Sequence, residues 1–101
     1  MRVEFHPEAL SEFQEAAQYY ATQQPGLGLR FVEQVEGVIN SLADHPETYA
    51  VFEQDVRRCL TKRFPYAVLY TIEPDHILVV AIMHCHRAPR YWRHRRTGNP
   101  G

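Results

Sequence analysis

Two hydrophobic periods divide this chain. Over residues 7–44 apolar positions recur at helical spacing; over residues 56–83 they alternate or run together. The first pattern marks helices with one buried face, the second marks strands. In the first helix Leu10, Phe13, Ala17 and Tyr20 share a face. Pro7 opens it, where a missing amide costs nothing, and Glu8 and Glu12 suit the positive end of the helix dipole. The helix is expected to stop near Gln24, at the turn Pro25-Gly26-Leu27-Gly28. A second helix places Leu27, Phe31, Val35, Val38 and Leu42 on one face, with Ile39 beside them. It ends at Asp44-His45-Pro46, because proline disfavours helix in the residue before it. Gly37 falls inside it, either at a close helix–helix approach or as a tolerated surface glycine.

Residues 2–5 read as a short strand ahead of the helices. Three more strands are expected at 56–61, 64–72 and 77–83. Phe64, Tyr66, Val68, Tyr70 and Ile72 alternate with other residues, and Glu73-Pro74-Asp75 is turn chemistry. Residues 77–83 are nearly all apolar, which predicts a central strand covered on both faces. Residues 89–96 are short and basic and suit one or two helical turns. The predicted order is β-α-α-β-β-β-(α). This is an α+β domain, a small antiparallel sheet with an N-terminal helical hairpin on one face. It reads as a single domain over residues 1–96 with a flexible tail at 97–101. The other sheet face is left partly to solvent or to a partner.

Composition supports a single globular unit: 101 residues, 45% hydrophobic and 23% charged. A formal net charge of -1 excludes a uniformly basic nucleic-acid binder. The distribution changes that picture. Residues 1–55 carry ten acids against Arg2 and Arg30, while residues 56–101 carry nine bases against Glu73 and Asp75. Such asymmetry points to an anionic partner for the basic half. Lys62 is the only lysine, so the bases are almost all arginines, suited to bidentate contacts with phosphate or carboxylate. No leader-like hydrophobic region and no membrane-length apolar run is found, which suggests a cytoplasmic chain. Cys59 and Cys85 are then expected as free thiols.

The densest polar cluster is His84-Cys85-His86-Arg87-Ala88-Pro89-Arg90-Tyr91-Trp92-Arg93-His94, directly after the central strand. Three chemistries compete for it. His84 and His86 share a strand face, but no further ligands at metal spacing accompany them, so neither metal nor cofactor is expected. Alternatively, the cluster suits cleavage of RNA by its own 2′-hydroxyl. His84, His86 and Tyr91 are proton-exchanging types, and Arg58, Arg63 and Arg87 are types that hold phosphate. Tyr66, Tyr91 and Trp92 could stack on splayed bases. Finally, the basic tail could dock on an acidic partner or on the acid-rich helices of the same chain. Of Arg57 and Arg58, one should face the helices and pair with a helix acid.

The ordered set of residues resembles the RelE/ParE superfamily of type II toxin–antitoxin toxins, of the plasmid-stabilisation type. The matching stretches are Val3-Glu4-Phe5-His6-Pro7-Glu8-Ala9, Tyr19-Tyr20, Gly26-Leu27-Gly28 before Phe31, Pro46, Val56-Arg57-Arg58 and Phe64-Pro65-Tyr66 with Tyr70. The ending is His84, Arg87, Pro89, Tyr91, Trp92 and Arg95. The resemblance implies a toxin that arrests growth and a cognate antitoxin with an acidic, partly disordered segment that folds on binding. It implies either metal-independent mRNA cleavage on the ribosome or inhibition of DNA gyrase. A non-toxic module of the same fold that only binds an antitoxin-like partner is the alternative. The nuclease branch gives catalytic roles to His84, His86, Arg87 and Tyr91, and phosphate contacts to Arg58 and Arg63. Arg90, Trp92 and Arg93 are expected to meet the partner. Cys85 stands where nuclease members carry a strand-end arginine.

Overall fold

The structure, a computed structural model, describes residues 1–88 and 90–96. The elements are β1 (Arg2–Phe5), α1 (Pro7–Gln23), α2 (Leu27–Asp44), β2 (Val51–Glu53), β3 (Val56–Leu60), β4 (Tyr66–Ile72) and β5 (His76–His84). A 3-10 turn, Arg93–Arg95, follows. The expected tail at 97–101 and Pro89 lie outside the described residues. Among the described residues no helix is long and apolar enough to cross a membrane.

The strands form one sheet in the order β1-β5-β4-β3-β2. The meander β3-β4-β5 is antiparallel, as tight connections require. β1 enters beside β5 in parallel, so the sheet is mixed. The long helical crossover between β1 and the meander frees it from hairpin geometry. β2 was not visible in the pattern, because three residues give no period to read.

The helical hairpin covers one sheet face. Phe31, Val35 and Leu42 of α2 pack with Val68, Tyr70, Ile77, Val79 and Ile82 of the sheet. On α1 the buried stripe is Ala9 and Ala16, with Phe13, Ala17 and Tyr20 partly buried, while Leu10 is 43% exposed. The hairpin closes tightly at Gly28: a Cβ there would lie 2.7 Å from the Ala17 carbonyl oxygen. Gly37, in contrast, faces open space.

The opposite face is covered by the chain itself. Val56, Ala67, Leu69, Val80, Ala81 and Met83 form a second core, sealed by Trp92 at 0% exposure and flanked by Phe52 and Tyr91. The face expected to remain for solvent or a partner therefore belongs to the carboxy-terminal segment. An interior sheet this apolar on both sides needs two lids.

Candidate functional site

His84 closes β5 opposite Tyr66, and their rings lie 5.1 Å apart. Its Nδ1 accepts the His86 amide at 3.1 Å, and the two imidazoles sit edge to face at 5.3 Å. Glu12, Glu15, Tyr19 and Arg87 complete a shallow depression of about 170 Å³ around His84. Arg87 lies 3.6 Å from Glu12 and places its guanidinium 3.8 Å above the Tyr91 ring. The Tyr91 hydroxyl is buried. Burial, reinforced by Glu12, pushes its phenol far above the ordinary range. Tyr91 therefore holds its phenolic proton more tightly than an exposed tyrosine would.

The carboxy-terminal segment is held at both ends by the acidic half of the chain. Arg95, only 7% exposed, donates to Glu8 at 2.7 Å, to Glu12 at 2.8 Å and to the Val80 carbonyl at 3.2 Å. His94 meets Glu8 at 2.8 Å. On the other side Arg90 and Arg93 converge on Glu53, at 2.7 Å and 2.6 Å. These hydrogen bonds, Arg93's first, lower the Glu53 carboxyl from 4.5 to about 2. Arg96 pairs with Asp55 at 2.7 Å. Arg90 and Arg93, expected to meet a partner, thus hold Glu53, and Trp92, expected beside them, fills the second core. The docking of the basic tail on the acid-rich first half is what the chain adopts.

The proposed phosphate-binding arginines lie elsewhere. Arg58 is in register with Leu69 and so points to the outer sheet face, where its guanidinium sits 4.8 Å from the centre of the Phe52 ring. His84 follows Ile82 by two residues on β5 and faces the helices. The sheet separates them. Arg57 does face the helix side, but it donates to the backbone carbonyls of Glu47 at 3.2 Å and Tyr49 at 2.8 Å, where a helix acid was expected.

Arg63 belongs to a different place again. It sits in the β3–β4 turn with a left-handed backbone, φ 69°. The Thr61 hydroxyl pins this turn by donating to the Phe64 and Tyr66 carbonyls, at 3.0 Å and 3.1 Å. Arg63 borders a cavity of about 490 Å³ together with Arg30, Tyr20 and Phe64. Arg30 escaped the sequence reading; the one available signal was an isolated base on the polar side of α2. Among the described residues no group of three or more His, Cys, Asp or Glu side chains could hold a metal ion. Cys59 is buried, Cys85 is exposed, and both are free. Burial raises the Cys59 thiol.

Comparison with known proteins agrees with this architecture. The fold is similar to a solved structure described as the chromosomal ParDE TA system from P. aeruginosa. The TM-score is 0.73 at 16% identity, covering 83% of this chain and 95% of that one. No curated protein matches. Residues 3–89 match the family model described as the ParE toxin of the type II toxin–antitoxin system parDE. With the helical hairpin, the meander and the start of the strand-end cluster inside that match, the chain belongs to the ParE toxin family.

Proposed function

We propose that this type II toxin arrests growth by inhibiting DNA gyrase, and that an acidic antitoxin neutralises it. The observation that carries the reading is the separation of the groups RNA cleavage would need together. That reaction requires a base, an acid and fixed cations around one phosphate. Here Arg58 and His84 lie on opposite faces of the sheet. Tyr91 is enclosed as a protonated phenol, and Arg87 lies against Glu12. A family member that inhibits gyrase needs no such constellation.

One observation favours mRNA cleavage as the second reading: His84, Tyr66 and Arg87 open together onto the depression beside α1, with the His86 ring edge to face against His84. The two readings separate in one experiment. Purified protein is added to gyrase supercoiling reactions and, in parallel, to a translating extract with cleavage mapping. The gyrase reading expects blocked supercoiling and intact mRNA. Cuts within the ribosomal A site, slowed by His84→Ala, would replace it with the nuclease reading. Normal growth on strong expression without antitoxin would remove both and leave the non-toxic binding module.

A further inference from the structure

Two groups of basic residues in this chain differ in how they are paired. Those of residues 87–96 face carboxylates of the first half at 2.6–3.6 Å. Arg30, Lys62 and Arg63 are exposed and make no ion pair or side-chain hydrogen bond among the described residues. These three cations border two adjoining depressions that together make a groove beside α2. The cavity of about 490 Å³ at Arg30 and Arg63 shares Glu33 and Gln34 with a second of about 460 Å³, which Lys62 and Leu60 border. Tyr20 and Phe64 form an aromatic wall at one end. At the other, Gly37 leaves space where a side chain would stand, and Leu60 is 57% exposed. From Arg30 to Ser41 the α2 wall runs about 16 Å at the helical rise.

We propose that this groove between α2 and the β3–β4 turn is the docking site for an acidic peptide segment of a protein partner. Its carboxylates would meet Arg30, Lys62 and Arg63, and its apolar side chains would enter between Phe64 and Leu60. The inference rests on the antitoxin reading above and locates its acidic segment. Charge complementarity selects the occupant. Unpaired guanidinium groups beside an aromatic wall suit carboxylates next to apolar anchors. Glu33 inside the groove and Glu36 on the same helix would repel an unbroken phosphate backbone but tolerate a peptide of mixed composition. The carboxy-terminal arginines, by contrast, could bind such a segment only by giving up Glu53 and Glu12.

The test is a titration of the full-length toxin with the antitoxin encoded beside it. Two variants are compared, Arg30→Ala/Arg63→Ala and Arg90→Ala/Arg93→Ala, each first checked for an intact thermal transition. The groove variant is expected to lose on the order of tenfold affinity per arginine and to show a shallower salt dependence. The carboxy-terminal variant should stay within about threefold of wild type. Affinity retained in the groove variant and lost in the other would overturn the site while leaving the antitoxin reading standing. Failure of the wild-type chain to bind the antitoxin would overturn both. Binding of a single-stranded RNA oligonucleotide to the free toxin, lost in Arg30→Ala/Arg63→Ala while antitoxin affinity is kept, would overturn the peptide occupant.

Discussion

The carboxy-terminal segment and the β3–β4 turn are both basic, yet they use arginine in opposite ways. Around residues 90–96 each guanidinium of Arg90, Arg93, Arg95 and Arg96 reaches an acid of the first half, and Trp92 plugs the outer sheet face between them. At the turn, Lys62 and Arg63 project into solvent, with Arg30 across the cavity from Arg63. The lesson is that the density of positive charge does not identify a binding surface. What counts is the charge left after the chain has paired its own residues. A paired arginine must surrender a hydrogen-bonded carboxylate before it can bind anything else, whereas an unpaired one surrenders only water.

The carboxy-terminal lid depends most on Trp92. Trp92→Ala would open a cavity beneath the carboxy-terminal segment and is expected to cost about 3–5 kcal/mol in urea unfolding. A loss below about 1 kcal/mol would show that the segment is not a lid. Glu12→Ala comes next. It removes an acceptor from the nearly buried Arg95 and from the Ile82 amide, at an expected cost of about 1–3 kcal/mol.

Glu53 sharpens the contrast through pH. Its carboxyl is lowered from 4.5 to about 2 by Arg93 and Arg90, so its contribution is complete above about pH 4.5 and fades as pH falls toward 2. The stability difference between wild type and Glu53→Gln should follow that window while the arginines stay charged. A difference unchanged from pH 6 to about pH 2 would show that the Glu53 carboxylate does not clamp the segment. The smallest effects are expected at the turn. Arg30→Ala should leave stability within about 0.5 kcal/mol of wild type. Arg63→Gly should gain up to about 1 kcal/mol by relieving the left-handed backbone, read as a raised thermal midpoint.

The hairpin was legible because Phe31, Val35 and Leu42 keep strict helical spacing, and its limits at Pro7 and Pro46 follow from proline chemistry. The alternation of residues 64–72 placed β4. Leu10 was misread because the buried stripe of α1 runs through small alanines, Ala9 and Ala16, which carry little hydrophobic signal. The tight helix contact sits at Gly28 near the turn, while Gly37 faces open space. The strand-end cluster was visible as residue types, but which arginines are satisfied depends on partners far along the chain. Arg95 and Glu12, 83 residues apart, form a pair that no local pattern reveals.

The partner is expected to engage the groove and not the carboxy-terminal segment. Hydrogen exchange of the free and antitoxin-bound chain tests it most directly, because protection reports which backbone amides the partner covers or stiffens. Binding should slow exchange at residues 27–38 and 59–66 and leave residues 90–96 unchanged. New protection confined to residues 90–96, with the α2 face exchanging as in the free chain, would contradict it.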